Sequence, residues 1–284
     1  MTSRPRRSAL YMPASNARAI EKARALPCDT VILDLEDGVA PDMKDLARDQ
    51  ATEAARAGGF GRRELVIRAN GPDTEWGEAD LRAAAAVRPD GVLLPKVSDP
   101  EVLRRARAMI GEGIPLWAMI ETCDAILNLA AIVAAARETG LVALVAGTND
   151  LAKEMRCRPG ALRTPLLPVL SQIVVSARAA GVTALDGVCN VIDDDTVFEA
   201  ECRQGLDWGF DGKTLIHPAQ IATANRVFAP SSEEIAWAEK VVSAFTLPEN
   251  ASRGAIRLEG KMVELLHRAE AERTLAIAAA IRAA

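Results

Sequence analysis

Eight short apolar runs punctuate the first 220 or so residues, and most of them end at or next to a charged side chain. They are Ser8-Ala-Leu-Tyr-Met12, Thr30-Val-Ile-Leu-Asp-Leu35, Glu64-Leu-Val-Ile-Arg68, Gly91-Val-Leu-Leu-Pro95-Lys96, Pro115-Leu-Trp-Ala-Met-Ile120, Leu141-Val-Ala-Leu-Val-Ala146, Thr183-Ala-Leu-Asp-Gly187 and Phe210-Asp-Gly-Lys-Thr-Leu-Ile216. A run of this kind without polar alternation is what a strand buried on both faces looks like. Between the runs lie polar, Ala-rich segments of helical length: 17–26, 43–56, 78–87, 101–110, 124–137, 165–180 and a helix ending near Gln204 that Asp193-Asp-Asp195 caps. Strands alternating with helices in this number predict an α/β fold, a (β/α)8 TIM barrel, over residues 1–229. A doubly wound open sheet is disfavoured, because no Gly-rich phosphate loop follows the first strand. Beyond it the register changes. Ser231-Ser-Glu-Glu234 is a capping box for a helix to Phe245, 248–254 reads as loop, and 260–283 reads as one long helix. Residues 230–284 are therefore expected to be a helical arm or lid, over their own barrel or a neighbour's.

Composition narrows the function. With 284 residues, 49% hydrophobic and 26% charged, the chain has the make-up of an ordinary globular protein. A net charge of -5 argues against a nucleic-acid surface. Arg4, Arg6 and Arg7 precede an apolar run that Pro13 interrupts too early for a signal peptide or membrane span, so a cytoplasmic location without membrane attachment is expected. Five scattered cysteines without a C-x-x-C pair fit reduced thiols better than a zinc site. Cys123 lies near Glu121 in sequence, but no histidine is near it to activate it.

Parallel barrel strands deliver their C-terminal residues to one face, and here that set is Asp34, Glu36, Asp37, Arg68, Asn70, Lys96, Glu121, Asp150, Asp186 and Lys213. Glu121 and Asp150 follow consecutive strands. Two carboxylates brought side by side repel unless a cation sits between them, and Mg2+ is the usual answer; a pair of helix-capping acids has the same sequence signature. Arg68 is either a grip on a substrate carbonyl or carboxylate or half of a structural ion pair. Lys96 reads as an anchor, a base, or a partner for Asp34 or Glu36. Asp37, before Gly38, also suits a turn.

Seven collinear motifs make the pattern specific: Arg7-Ser-Ala-Leu-Tyr-Met-Pro13-Ala, Asp34-Leu-Glu-Asp-Gly-Val39-Ala-Pro, Val66-Ile-Arg68-Ala-Asn70-Gly, Leu94-Pro95-Lys96, Ile120-Glu121-Thr, Gly147-Thr-Asn-Asp150-Leu and Gly209-Phe-Asp-Gly-Lys213-Thr-Leu-Ile-His217-Pro-Ala-Gln220-Ile. Together they resemble the citrate lyase beta-subunit family, which includes malyl-CoA and citramalyl-CoA lyases. The resemblance implies a TIM barrel with Mg2+ on Glu121 and Asp150, substrate contacts from Arg7, Arg68, Lys96, Glu121 and Asp150, and CoA near Arg7. It further implies carbon–carbon cleavage of a 3-hydroxyacyl-CoA, such as malyl-CoA, β-methylmalyl-CoA or citramalyl-CoA, into an acyl-CoA and a 2-oxo acid. Its members' catalytic aspartate lies in a Gly-x-Met-x-Asp pattern on an arm that reaches a neighbouring subunit of a homotrimer or homohexamer. Here the stretch is Gly260-Lys-Met-Val-Glu264, so Glu264 is the candidate acid/base, one methylene longer. Two other activities suit the same scaffold: hydrolysis of the thioester, which the Glu264 exchange would favour, and a citrate-lyase-type subunit acting on an acyl-carrier thioester.

Overall fold

The computed structural model describes residues 4–250 and 252–283. The chain forms two compact units, Arg6–Arg226 and a second made of the segment from Val227 onward with the described residues that precede Arg6.

The first unit is a closed barrel of eight parallel strands in sequential order: β1 (Ser8–Pro13), β2 (Thr30–Asp34), β3 (Glu64–Arg68), β4 (Gly91–Leu94), β5 (Leu116–Ile120), β6 (Leu141–Ala146), β7 (Thr183–Asp186) and β8 (Gly212–Leu215). The ring closes where Ser8 of β1 lies against Lys213 of β8. Every residue of β2, β3, β4 and β5 is buried, which explains the unbroken apolar runs. Side chains alternate between the two faces of a strand, and the apolar core takes Ala9, Ile32, Val66, Leu93, Trp117, Met119, Ala143, Val145 and Leu185 from the first seven strands. At the N-terminal end of the barrel Arg6 closes the bottom. Its guanidinium pairs with Glu64 at 2.6 and 2.7 Å, donates to Thr183 Oγ1 at 2.9 Å and lies 4.8 Å over the Trp117 ring.

The stretch 124–137, which the sequence suggests is one helix, is three short ones, Cys123–Leu127, Leu129–Ala134 and Ala136–Thr139. Asn128 marks the first break, where its amide donates to the Ser98 carbonyl.

The second unit holds the helix Ser232–Thr246, with the capping box at Ser231 and Glu234 in place, and the helix Leu265–Ala283. The single helix expected over 260–283 is corrected here. Its first residues are instead a strand, β10 (Lys261–Glu264), which forms an antiparallel hairpin with β9 (Ala255–Leu258). Glu259 and Gly260 between them both have positive φ, 48° and 82°, the two-residue turn that matches the twist of a hairpin. Ala238, Val241, Phe245, Ile256, Val263 and Ala271 form this unit's own core. Among the described residues no helix is long and apolar enough to cross a membrane.

Candidate active site at the C-terminal mouth of the barrel

The C-terminal ends of the strands surround a pocket of about 300 Å³ lined on its polar side by Asp34, Asp37, Arg68, Glu121 and Asp150 and elsewhere by Tyr11, Met119, Ala146, Val188, Thr214 and Ile216. Three of those charged groups form one lattice with Glu36 and Lys96. Asp34 is the hub: it accepts Arg68 Nε at 2.7 Å and a second guanidinium nitrogen at 2.6 Å, and also the backbone N–H groups of Glu36 and Gly38, both at 2.9 Å. Gly38 is needed for that approach, since a Cβ there would sit 2.5 Å from Asp34 Oδ2. The third guanidinium nitrogen of Arg68 pairs with Glu36 at 2.8 Å, and the Arg68 plane stacks 4.8 Å from the Tyr11 ring. These contacts engage one N–H each from Nε, Nη1 and Nη2, and a guanidinium has five. Asp37 lies 3.6 Å from the same Nη1, so the guanidinium is surrounded by three carboxylates. Burial disfavours the Arg68 charge, but Asp34 more than offsets it and holds the group above the usual arginine range.

Glu121 has the opposite problem. It is 1% exposed, and its carboxylate accepts a bond from the Lys96 backbone N–H at 2.6 Å. Burial first, then the negative charges of Glu36 and Asp150, push its pKa up to about 8, against the pull of the Lys96 bond and charge. A Cβ on Gly147 would lie 2.8 Å from Glu121 Oε2 and closer still to Glu121 Cβ, so the turn after β6 cradles this carboxylate. Asp150, in the first turn of the helix Thr148–Glu154, lines the same pocket. Oxygen donors with Glu121's ionisation made costly by its surroundings fit a hard divalent cation, whose charge would offset that cost. Among the described residues no cluster of three or more His, Cys, Asp or Glu side chains is arranged to hold a metal. Mg2+ is commonly bound by one or two carboxylates with water and substrate oxygens completing the shell.

A family model described as HpcH/HpaI aldolase/citrate lyase matches residues 7–218. The chain belongs to that family. It is 47% identical over 98% of its length to a (3S)-malyl-CoA thioesterase of Cereibacter sphaeroides, of which it covers 96%. It is 30% identical, again over 98%, to the mitochondrial citramalyl-CoA lyase of Homo sapiens, covering 87% of that protein. The structure of CitE from Mycobacterium tuberculosis in complex with magnesium, acetoacetate and coenzyme A aligns over 98% of this chain and all of that one. The TM-score is 0.79 and the identity 30%.

Several strand-end residues of this HpcH/HpaI family member do not join the pocket. Arg7 is a correction: it precedes β1 and so lies at the barrel's N-terminal end, opposite the mouth, where its guanidinium is spent on Asp29 at 2.8 Å. Asp186 and Lys213 fall on the other face of their strands from the pocket-lining Thr214 and Ile216. There they close a buried network, with Lys213 Nζ 2.8 Å from Asp186 and 2.7 Å from Glu201, and Arg163 2.8 Å from Asp186. Burial alone would raise the Asp186 pKa, but Lys213 and Arg163 more than offset it and hold it low. The Lys96 ammonium is taken up by Glu36 at 2.9 Å, and Asn70 is locked between Lys44 and Asp80. His217 caps the turn at Pro218, accepting from the Ala219 N–H. Glu264 ends β10, half-buried, with its backbone N–H donated to His267 Nδ1 at 2.9 Å.

Two contributors escape sequence reasoning. Lys44 looks like a surface residue opening a helix, yet it is 6% exposed and its ammonium donates to the carbonyls of Leu35 (2.8 Å) and Glu36 (2.7 Å), fixing the loop that carries Glu36. Nothing local signals that. Tyr11, the chain's single tyrosine, stands two positions beyond the core residue Ala9 on the same strand face, and that alternation does mark it. Its hydroxyl is buried without a hydrogen-bond partner.

Proposed function

We propose that this chain is a Mg2+-dependent thioesterase for the CoA thioester of a 3-hydroxy dicarboxylic acid, malyl-CoA first among them. The observation that carries this is the pairing, in one pocket, of the carboxylates Glu121 and Asp150 with an Arg68 guanidinium that Asp34 and Glu36 hold in place. The full-length similarity to (3S)-malyl-CoA thioesterases supports hydrolysis over cleavage of the carbon skeleton. Mg2+ bound by Glu121 and Asp150 would supply charge neutralisation and chelation of the substrate's carboxylate and hydroxyl oxygens. Arg68, held in plane by Asp34 and Glu36, would turn its positive charge toward the thioester carbonyl oxygen, where negative charge gathers as water adds to the carbon. The C–S bond then breaks, the acid keeps the water's oxygen, and CoA leaves as the thiol.

Glu264 is our candidate for the base that takes the water's proton, delivered from the arm of a neighbouring copy in a homo-oligomer. Met262, Leu265 and Leu266 flank it and are all exposed, apolar surface that a second copy would cover. A second reading is kept because the same pocket suits carbon–carbon cleavage and a citramalyl-CoA lyase is 30% identical. In that reaction the base takes the hydroxyl proton, the bond between the α and β carbons breaks, and the enolate left on the thioester fragment meets Arg68.

One assay separates the two. Purified protein is given (3S)-malyl-CoA and Mg2+, and free thiol and 2-oxo acid are quantified in parallel. Thiol without oxo acid is the expected result. Oxo acid without thiol means lyase activity, and activity undiminished by exhaustive chelation overturns the metal-dependent reading altogether.

A further inference from the structure

We propose that Lys96 is a positioning residue that couples the two halves of the pocket, fixing Glu121 with its main chain and Glu36, and through it Arg68, with its ammonium. The inference rests on the reading above that Glu121 and Asp150 take a divalent cation and Arg68 meets the substrate. Lys96 follows Pro95 at the exit of β4 and has a φ of 50°, in the left-handed region. In this conformation its N–H points at Glu121 Oε1, 2.6 Å away, while the next residue, Val97, bonds back to the Met119 carbonyl at 3.3 Å. A glycine would adopt the same backbone without strain and would still offer the N–H. A lysine at this position therefore points to work done by its side chain. That side chain reaches Glu36 Oε1 at 2.9 Å, and the other oxygen of Glu36 holds Arg68 at 2.8 Å.

Charge makes the coupling directional. With Glu121 ionised, as a cation ligand must be, the carboxylates Asp34, Glu36, Asp37, Glu121 and Asp150 outnumber the cations Arg68 and Lys96. A divalent cation offsets that acidic excess. Removing the Lys96 ammonium adds a further uncompensated negative charge, so the cation is held more tightly. The same change leaves Glu36 with Arg68 as its cationic partner and draws the guanidinium toward it, away from the substrate's carbonyl. Metal affinity and turnover are thus driven in opposite directions, which general loosening of the pocket does not do.

The test uses the full chain, with Mn2+ as a paramagnetic probe titrated without substrate, and kcat and KM measured on (3S)-malyl-CoA. Lys96→Met and Lys96→Gly are compared with wild type, the glycine variant keeping the N–H and relaxing the backbone should the methionine variant fail to fold. Both are expected to bind Mn2+ about 3- to 10-fold more tightly, the order expected of one screened charge nearby. Both should lose about 10- to 100-fold in kcat, as removal of an outer-shell partner does. Adding Glu36→Gln to Lys96→Met removes the stranded charge and should return much of the lost kcat. Weaker Mn2+ binding together with lower kcat, an unchanged kcat, or no rescue by Glu36→Gln overturns the proposal. If wild type does not turn over malyl-CoA the substrate reading fails, and the sign of the Mn2+ shift alone decides the role of Lys96: tighter supports it, weaker or unchanged overturns it.

Discussion

Replacing Asp34 with alanine strips the site of its hub and asks how much that hub contributes to holding the barrel's mouth together. The carboxylate accepts four hydrogen bonds, two from Arg68 and two from the backbone of its own loop, and it is 2% exposed. Truncation leaves the Arg68 guanidinium, itself 7% exposed, with Glu36 at 2.8 Å and the more exposed Asp37 at 3.6 Å. Breaking one side of a buried ion pair costs about 3–5 kcal/mol, because the surviving charge stays buried. At roughly 2–4 °C per kcal/mol for a domain of this size, Asp34→Ala should lower the melting temperature by about 6–20 °C. The companion variant Asp34→Ala/Arg68→Met removes both charges and should recover most of that loss, since replacing both partners with apolar groups is often close to neutral. Calorimetric scans of wild type, both single variants and the double variant form a complete thermodynamic cycle. A loss under 3 °C for Asp34→Ala, or a double variant as unstable as the two single losses added together, would refute the assignment of Asp34 as the clamp on Arg68.

Two further predictions concern other parts of the barrel. Gly147→Ala places a methyl group against Glu121, and a displacement of that carboxylate near 1 Å should lower kcat about 100-fold while far-UV circular dichroism stays native; a rate within threefold of wild type would show that the cradle tolerates the added carbon. The Asp186 carboxyl is held below its ordinary range when folded, so its contribution to stability is present above the unfolded value of about 4 and is lost as pH falls through the folded one. Urea titrations should therefore show wild type losing stability below about pH 4 more steeply than Asp186→Asn, and parallel curves from pH 6 to pH 3 would sink that account.

Much of the barrel is written in local pattern. A strand sandwiched between a barrel interior and a helical layer must be apolar on both sides, so Thr30-Val-Ile-Leu and Leu116-Trp-Ala-Met-Ile120 are recognisable without any neighbour being known. The same local pattern places Glu121 just past the end of β5 and Asp150 just past β6, and so brings two acids to one rim. Which way a side chain points is less legible. Asp186 and Lys213 differ from Thr214 and Ile216 by strand phase, and a run buried on both faces carries no polar alternation to reveal that phase. Arg7 stands beside a strand as the site residues do, but at its start, and chain direction sends it to the wrong end of the barrel. The hairpin at 255–264 was hidden for another reason. Its strands have four residues each, its turn is Glu-Gly rather than Asn-Gly, and the Ala- and Arg-rich helix that follows dominates any window that includes it. Lys44 depends on two carbonyls brought close by folding, a relationship that no spacing encodes.

Arg6, Glu64 and Trp117 pack together at the N-terminal end of the barrel, and the pocket is lined from the opposite, C-terminal end, which is its way in. Traffic through it is therefore last in, first out: whatever lies nearest the floor must arrive before the molecule spanning the rim and depart after it. For a reactant with a bulky carrier at one end and a small acid at the other, the carrier acts as a cork, and solvent reaches the chemistry only by the route the carrier occupies. The architecture at the bottom of the barrel thus imposes an order of events on the top.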